Sequence, residues 1–317
     1  MQTVLVAGGA GFIGSHLCEK LLNQNFKVIC VDNLISGSTK NIDRLKNNPS
    51  FSFIEQDVCE PLSLGEKIDA IFHLASPASP NAESKISYFA LPMETMLVNS
   101  QGTLELLKFA EKNQAKFLFA STSEVYGDPQ KHPQAEEYRG NVSTTGPRSI
   151  YDESKRFGET LTSFFHRSKG LDARIARIFN TYGPRMLPED KRMIVDFILH
   201  AIRGEPIEVF GDGSQTRSLC FVDDTVDGLI KLMFGPKTSG KVVNIGSAEE
   251  HAVLEYAEMV KKITGSQSEI MFNRPLPEDD PKRRKPDIGK AKKLLDWEPK
   301  VPLVEGLEKT IQYFKSL

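Results

Sequence analysis

Short apolar runs alternate with amphipathic segments through the first half of the chain. The runs are continuous and are bounded by polar residues or glycine, which is typical of strands buried on both faces of a parallel sheet. Residues 13–24 and 93–112 carry apolar side chains at helical spacing, and another helix is predicted to begin at Tyr151. This alternation predicts an α/β fold built on a doubly wound parallel sheet. The predicted strands are residues 3–7, 27–31, 51–54, 68–75, 115–121 and 173–179.

The pattern changes after residue 180. Loops lengthen, proline and glycine recur, and isolated helices are predicted near residues 192–203, 223–234, 252–264 and 303–315. We expect these elements to form a smaller, interleaved C-terminal domain that closes over the carboxyl ends of the strands, where open α/β sheets bind ligands. The expected division assigns residues 1–180 and 218–246 to the first domain and residues 181–217 and 247–317 to the second.

Composition and charge indicate a globular protein that binds neither nucleic acid nor membranes. The 317 residues are 39% apolar and 26% charged, and the formal net charge is −2, so no strong field attracts polyanions. No apolar segment approaches the ~18 residues that span a bilayer, and the first residues do not resemble a signal peptide. The four cysteines form no CxxC pair, which favours free thiols in a reducing compartment. The sequence therefore predicts a cytoplasmic location and no metal site.

Three glycines follow the first predicted strand and open the first predicted helix. Gly8, Gly11 and Gly14 in AGGAGFIGSH have the spacing of a dinucleotide-binding Rossmann turn, in which the backbone approaches a pyrophosphate at the N-terminus of a helix. The second strand ends in VDN, which places Asp32 at its carboxyl end. A carboxylate there accepts hydrogen bonds from both hydroxyls of the adenosine ribose and repels a 2′-phosphate. These features predict NAD rather than NADP as the cofactor.

Tyr151 and Lys155 are four residues apart in YDESK and therefore share one face of a helix. A free phenol has a pKa of about 10 and is a poor base at neutral pH. A neighbouring ammonium group and a positive nicotinamide ring would both lower the pKa of the phenol by stabilising phenolate. Tyr151 could then take a proton from a sugar hydroxyl while hydride leaves the same carbon. The glycine-rich turn and an upstream hydroxyl residue favour this catalytic interpretation over a surface helix.

The chain resembles the extended short-chain dehydrogenases/reductases, in particular the nucleotide-sugar epimerase/dehydratase group. The resemblance covers almost the full length, and Tyr151 and Lys155 are part of it. The other matching stretches are GGAGFIG, RIFNTYGPR (177–185), GDGSQTRSLCFVDD (211–224) and RKPDIGKAKKLLDWEP (284–299). Five stretches are most similar to the members that decarboxylate UDP-glucuronate, and they are HLASPASP (73–80), STSEVYGDP (121–129), HPQ (132–134), GPRSIYDESKR (146–156) and RKPDI (284–288).

The resemblance implies a role for each matching site residue, and it implies a UDP-sugar as the substrate. Thr122 would assist Tyr151 at the sugar hydroxyl, and Lys155 would hold the ribose of the cofactor. The expected catalytic residues are Thr122, Ser123, Glu124, Tyr151, Lys155 and Arg284. The expected substrate-binding residues are Tyr88, Asn180, Arg185, Arg192, Gln215, Arg217 and Arg284. The expected cofactor-binding residues are Gly8, Gly11, Phe12, Ile13, Gly14, Asp32, Asn33, Ser36, Gly37, Asp57, Val58, Leu74, Ala75, Ser76, Asn99, Tyr151 and Lys155.

Glu124 is the residue that distinguishes among the activities of this group. Simple 4-epimerases usually have a small or hydroxyl residue at that position, whereas the dehydratases and the decarboxylase carry an acid. Oxidation of UDP-glucuronate at C4 gives a β-keto acid, whose loss of CO2 leaves an enolate that needs charge stabilisation and a proton at C5. We expect Glu124 to act at C5 or C6, either directly or by ordering a water molecule, and Ser123 to bind the departing carboxylate. The expected reaction therefore converts UDP-glucuronate to UDP-xylose and CO2.

Three other interpretations stay open. A UDP-sugar 4-epimerase acting on glucuronate or glucose would share the oxidation step. A 4,6-dehydratase would eliminate water, although that chemistry typically uses an Asp-Glu pair where this chain has Ser123 and Glu124. A catalytically inactive NAD(H) sensor is disfavoured because Thr122, Tyr151 and Lys155 are all present.

Two departures from the family pattern bear on the substrate. Residues 81–87 (NAESKIS) lengthen the loop before Tyr88, where the family usually continues with Pro-x-Tyr. Leu97 stands where many of the decarboxylases have lysine. Because the absence of a cation weakens binding of a carboxylate, a neutral sugar stays possible.

A homodimer is the expected assembly. In this family the helices predicted at 93–112 and 151–168 lie side by side and pair with a second subunit as a four-helix bundle. Apolar residues predicted to be exposed on these helices are consistent with such pairing, although core packing would explain them equally well. These residues are Leu104, Leu107, Phe164 and Phe165.

Overall fold

Strands and helices alternate through the computed structural model, which describes residues 1–278 and 280–317. The strands are β1 (Thr3–Ala7), β2 (Lys27–Asp32), β3 (Phe51–Glu55), β4 (Ala70–His73), β5 (Lys116–Thr122), β6 (Ala173–Ile178), β7 (Thr181–Tyr182), β8 (Ile207–Phe210), β9 (Thr216–Arg217), β10 (Cys220–Phe221), β11 (Val242–Ile245), β12 (His251–Ala252), β13 (Ile270–Arg274) and β14 (Arg283–Arg284). The helices are α1 (Phe12–Asn23), α2 (Pro92–Leu97), α3 (Thr103–Asn113), α4 (Ser149–Lys169), α5 (Met193–Arg203), α6 (Val222–Phe234), α7 (Val253–Thr264), α8 (Gly289–Leu295) and α9 (Leu303–Lys315).

The central sheet has seven parallel strands in the order β11-β6-β5-β4-β1-β2-β3. The chain starts in the middle, winds outward to β3, and then crosses back to β4 on the other side of β1. This reversal between β1 and β4 is the switch point at which doubly wound sheets bind their ligands. The predicted α/β fold is confirmed.

Alternate residues of β1 explain why this sheet is buried on both faces. Val4 and Val6 belong to one apolar cluster and Leu5 to another, because successive strand side chains point to opposite faces. The first cluster includes Leu17 of α1 and many side chains of the C-terminal helices. The second cluster includes Leu106 of α3 and the neighbouring α4. Helices therefore cover both faces, and polar groups that bind ligands are left at the ends of the strands.

The elements after residue 180 pack beside the carboxyl ends of the sheet. Helix α5 packs against α7 and α9, and β11 returns to the main sheet beside β6. The short strands β9, β12 and β14 form a separate small sheet in which Arg284 is paired with Arg217. The proposed division into two domains stays a prediction. No helix within the described ranges is long and apolar enough to cross a membrane.

The helix predicted at 93–112 contains one local change of geometry. Residues Val98–Gly102 form a π-helical turn that joins α2 to α3. Such turns insert one extra residue and often occur at functional sites. Here the turn contains Asn99, a fully buried residue whose Nδ2 donates to Ser76 Oγ and to Ser154 Oγ, both at 3.1 Å. The amide thus connects the end of β4 to the helix that carries Tyr151.

Candidate active site

A cleft of about 1140 Å³ lies at the carboxyl ends of the central strands. A smaller depression of about 410 Å³ continues from it toward the end of β2. Together they bring most of the predicted site residues into one connected space. Predicted residues that line the cleft are Gly8, Gly11, Phe12, Ile13, Gly14, Ser36, Leu74, Ser76, Tyr88, Thr122, Ser123, Glu124, Tyr151, Lys155, Asn180 and Arg192. Predicted residues that line only the depression are Asp32, Asn33, Gly37, Val58 and Ala75.

The glycine-rich turn is sterically specified at two positions. Gly8 has a φ of +80°, and a Cβ there would lie 2.6 Å from the backbone nitrogen of Ala75. A Cβ on Gly14 would overlap the carbonyl oxygen of Gly8. Helix α1 begins at Phe12, so its first N–H groups face the cleft without intrahelical partners. This arrangement fits a pyrophosphate, which the helix N-terminus attracts and the backbone can approach closely.

Asp32 is fixed at the end of β2 by two backbone groups. Its Oδ2 accepts the N–H of Ala10 at 2.9 Å, and its Oδ1 accepts the N–H of Leu34 at 2.8 Å. Burial raises the pKa of Asp32, while these two hydrogen bonds lower it. Each carboxylate oxygen keeps further acceptor capacity toward the depression, as binding of a ribose diol requires. Asp57 lies behind this position and accepts the Nδ2 of Asn33 at 3.1 Å.

The residues expected to carry out the oxidation come from β5 and α4. Lys155 Nζ donates to the carbonyl oxygen of Ala120 at 2.8 Å and lies 5.7 Å from the centre of the Tyr151 ring. Burial raises the pKa of Tyr151 to about 12, although Arg192 and the Thr122 hydroxyl lower it. Burial also lowers the pKa of Lys155 to about 7. Nearby charges, which the sequence shows, lower the pKa of the phenol, whereas its burial, which only the fold shows, raises it.

Glu124 is held between two arginines in the turn that follows β5. Its Oε2 accepts Arg148 Nη2 at 2.6 Å and Arg284 Nη2 at 3.1 Å. Burial raises the pKa of Glu124, but the charges of Arg284 and Arg148 outweigh burial and bring the pKa to about 2. Arg284 also donates to the carbonyl oxygens of Ser123 and Gly127, so it fixes the turn as well as the carboxylate. Glu124 is therefore ionised at neutral pH and acts as an acceptor.

Arg148 is a cleft residue that was not predicted from the sequence. It is 5% exposed, lines the cleft and lies 3.5 Å from the carboxylate of Asp280 through Nη1. The available signal was its position in GPRSIYDESKR, three residues before Tyr151 and so on the same side of the helix start.

Asp152 was also missed. It is 4% exposed, and burial, followed by the charge of Glu124, raises its pKa to about 8.

Some predicted substrate residues lie outside the cleft. Arg185 pairs with Glu19 of α1 and is not among the cleft-lining residues. Arg217 Nη2 donates to Asp280 Oδ2 at 2.7 Å, and Gln215 Nε2 donates to a backbone carbonyl at 2.9 Å. Neither of these two lines the cleft.

Tyr88 lines the cleft beside Tyr151. Its ring stacks on that of Tyr151, with ring centres 5.0 Å apart and planes 10° apart. Its hydroxyl is buried and has no hydrogen-bond partner among the described residues. The position is consistent with the predicted contact to a sugar, since an unpaired buried hydroxyl is costly unless a ligand satisfies it.

The lengthened loop before Tyr88 is fastened to the segment that precedes Arg192. Ser84 Oγ donates to the carbonyl oxygen of Glu189 at 2.6 Å, and Asn81 Nδ2 donates to that of Lys191 at 2.7 Å. The loop thus forms an ordered wall of the cleft. Leu97, by contrast, is 41% exposed and is not among the cleft-lining residues.

These features define a class of protein, one that binds a dinucleotide on a Rossmann sheet and places a tyrosine–lysine pair beside it. Residues 5–310 match the family described as GDP-mannose 4,6 dehydratase. The chain belongs to this family. Its predicted membership in the nucleotide-sugar epimerase/dehydratase group is confirmed.

Individual relatives cover nearly the whole chain. The chain is 48% identical over 313 residues to UDP-glucuronic acid decarboxylase 1 of Danio rerio, a match covering 99% of this chain and 72% of that protein. It is 50% identical over 305 residues to UDP-glucuronic acid decarboxylase 3 of Arabidopsis thaliana, covering 96% and 86%. Among solved structures, UDP-glucuronic acid 4-epimerase from Bacillus cereus, in complex with UDP-glucuronic acid and NAD, has a TM-score of 0.84 at 31% identity and covers 99% of both chains.

Proposed function

We propose that this chain is an NAD-dependent UDP-glucuronate decarboxylase that produces UDP-xylose and CO2. The observation that carries the proposal is the ionised Glu124, held by Arg148 and Arg284 in the same cleft as Tyr151. Relatives at 48–50% identity over nearly the full chain are named for this activity. A cleft that only oxidises and reduces C4 has no need of this buried carboxylate.

The residues around the glycine-rich turn fit NAD. The N-terminus of α1 would hold the pyrophosphate. Asp32 would hold the adenosine ribose by accepting a hydrogen bond from its unmodified 2′-hydroxyl. Bound NAD would supply the acceptor and later the donor of the hydride at C4 of the sugar, and its nicotinamide ring would add a positive charge to the site. That charge is needed, because the pKa of Tyr151 in the protein alone is about 12.

Tyr151 would take the proton from the C4 hydroxyl, and Thr122 would orient that hydroxyl. Lys155 would hold the ribose next to the sugar. Its buried ammonium group, with a pKa lowered to about 7, loses its charge easily and can pass a proton on. We propose that Tyr88, Asn180 and Arg192 bind the sugar and diphosphate, since all three line the cleft.

The second step would take place beside Glu124. The 4-keto acid loses its C6 carboxylate as CO2, and the electron pair of the broken bond becomes an enolate between C5 and C4. The cationic side chains that line the cleft, Arg148, Lys155 and Arg192, would stabilise the negative charge that moves toward the C4 oxygen. Because the pKa of Glu124 is about 2, it cannot itself donate the proton that C5 needs at neutral pH. We infer that Glu124 orients a water molecule that delivers this proton.

Product analysis separates this proposal from its competitors. The purified protein is incubated with UDP-glucuronate and NAD, and the sugar nucleotide is identified by proton NMR. We expect UDP-xylose. Formation of UDP-galacturonate would instead identify a 4-epimerase, an activity that the 31% identical solved structure is named for. Turnover of deoxythymidine-diphospho-glucose to a 4-keto-6-deoxy sugar, with UDP-glucuronate untouched, would identify a dehydratase.

We also propose that the protein is a homodimer that pairs α2, α3 and α4 with a second copy. Met93, Leu97, Phe157 and Phe164 are each at least 41% exposed, and all lie on α2 or α4. Leu107 and Phe165 were expected at this surface, but both are buried in the core. Leu104, also expected there, is partly buried against the core. Sedimentation should give a dimer, and Phe157→Asp should give a monomer.

A cytoplasmic location is part of the same proposal. Cys18, Cys30 and Cys220 are buried free thiols, as a reducing compartment permits. Fractionation of cells that express the protein would test it.

A further inference from the structure

A continuous chain of buried and partly buried hydrogen bonds begins on the helix that carries Tyr151 and Lys155. Glu159 lies one turn after Lys155 on α4. It accepts the Ser121 hydroxyl at 2.6 Å, and it accepts Arg177 Nε and Nη2 at 2.8 Å each. Paired bonds of this kind fix both partners strongly. Glu159 therefore fixes Ser121, which directly precedes Thr122, against the catalytic helix.

Tyr126 continues the chain on the other side of Arg177. Arg177 Nη1 donates to the Tyr126 hydroxyl at 2.9 Å, and that hydroxyl donates to Asn244 Oδ1 at 2.8 Å. Tyr126 is fully buried, and the Arg177 guanidinium lies 4.9 Å from its ring centre. Burial raises the pKa of Tyr126 to about 12, so its hydroxyl stays protonated and can donate while it accepts.

Asn244 extends the chain of hydrogen bonds to the segment that follows Arg284. Its Nδ2 donates to the carbonyl oxygens of Gln134 and Asp287, at 2.9 Å and 3.1 Å. Gln134 in turn exchanges hydrogen bonds with Lys285, at 2.8 Å through its backbone N–H and at 2.9 Å through its side-chain oxygen. Both Asn244 and Gln134 are fully buried. The residues next to Arg284 are thus tied to the chain that starts on α4.

Arg284 needs such support because its own strand is short. Strand β14 contains two residues and pairs only with β9 among the described strands. The Arg284 guanidinium nevertheless reaches Glu124 and the turn after β5, and it is 1% exposed. A displacement of about 1 Å in a group of this kind can cost a large factor in rate.

We propose that Tyr126, together with Arg177 and Asn244, is a positioning residue that holds Arg284 against Glu124. The proposal rests on the decarboxylase function proposed above. Tyr126 itself is not among the cleft-lining residues, so it would act through Arg284 and not on the sugar.

Tyr126→Phe removes one hydroxyl from the middle of the chain and keeps the ring. Tyr182→Phe is the matched control, since Tyr182 is equally buried and its hydroxyl donates to the carbonyl oxygen of Leu303 at 3.1 Å, in another part of the fold. We expect Tyr126→Phe to lower kcat for UDP-xylose formation about tenfold and to leave KM and NAD affinity within about twofold. Tyr182→Phe should leave kcat within about twofold.

The coupling to Arg284 is tested by a double-mutant cycle. If Tyr126 acts through Arg284, Tyr126→Phe should cost little more in a protein that already carries Arg284→Lys, so the two effects should not multiply. Full multiplication of the two effects would overturn the proposal, as would a Tyr126→Phe effect confined to KM.

Amide hydrogen exchange gives a readout that does not depend on the reaction. Exchange of the peptide covering residues 283–287 should become at least several-fold faster in Tyr126→Phe and stay unchanged in Tyr182→Phe. Unchanged exchange in Tyr126→Phe would contradict the positioning role. If the parent protein failed to decarboxylate UDP-glucuronate but this exchange result held, the proposed function would fail and the positioning of Arg284 would stand.

Discussion

The two ends of the cleft are built in different ways. The cofactor end is made mostly of backbone from nearby stretches, namely the glycine-rich turn and the end of β2 with Asp32. The sugar end is made of charged side chains from three distant segments, Glu124, Arg148 and Arg284. The first arrangement supplies binding that many related enzymes share. In the proposed function, the second supplies the charge that decides what happens to the sugar after oxidation, so changes at the two ends should have separable effects.

The largest effect should come from Tyr151, which lies between the cofactor end and the sugar end of the cleft. Tyr151→Phe removes the proposed base for the C4 proton, and general-base removal costs about 10²–10⁴ in rate. We expect kcat to fall about 10³-fold while NAD still binds, as measured by the rate of UDP-xylose formation and by cofactor titration. Tyr313→Phe, a change on the distant helix α9, should have no effect. Loss of NAD binding in Tyr151→Phe would show that the cofactor end depends on this residue as well.

Changing the sugar end alone should stop decarboxylation and leave cofactor binding intact. Glu124→Gln removes the carboxylate that pairs with Arg148 and Arg284 and should lower UDP-xylose formation about 10²-fold. NAD affinity should stay within about twofold by titration. Glu55→Gln, at the exposed end of β3, is the control. Normal decarboxylation by Glu124→Gln would remove the distinction between the two ends.

Changing the cofactor end alone should affect affinity and spare the chemistry. Asp32→Asn loses the negative charge that excludes a 2′-phosphate, and it should weaken NAD binding about tenfold. NADP should bind better than it does to the parent protein, since the repulsion is removed. At saturating NAD, kcat should stay close to that of the parent protein. A lower kcat with unchanged NAD affinity would contradict this assignment of Asp32.

The smallest effect concerns stability and comes from Asp152, a buried carboxyl group that feels the charges of the sugar end. Burial raises the pKa of Asp152 to about 8 in the folded protein, well above its usual value of 3.8. The folded state therefore binds more protons than the unfolded state between about pH 4 and pH 8, and stability falls as pH rises through that window. Asp152→Asn should remove this fall and raise the free energy of unfolding at pH 8 by about 1 kcal/mol. Chemical denaturation at pH 5 and pH 8 measures it, with Glu153→Gln as the control.

The alternation of apolar runs predicted the sheet well, because a strand buried on both faces needs a continuous apolar run. The predicted helices and the first six strands agree with the structure to within two residues at each end. The π-helical turn at Val98–Gly102 was not predicted, and neither was α8. The π-helical turn is only five residues long and has regular α-helix on both sides. The apolar spacing of the whole segment therefore still reads as one helix.

The cofactor end could be predicted because its residues are close together in the chain. Gly8, Gly11 and Gly14 form one turn, and Asp32 follows from the end of the next strand. The sugar end depends on which distant charges meet in space, which spacing does not reveal. Arg148 and Asp152 were missed for this reason. Arg185 was expected at the substrate, but in the fold its guanidinium pairs with Glu19 of α1.

The fate of C6 tests the central claim most directly. UDP-glucuronate carrying carbon-13 at C6 is incubated with the protein and NAD, and the label is followed by NMR. The ionised Glu124 between Arg148 and Arg284 predicts that the label leaves as CO2 in step with the formation of UDP-xylose, without net accumulation of NADH. Retention of the label in a UDP-hexuronate epimerised at C4 would contradict it.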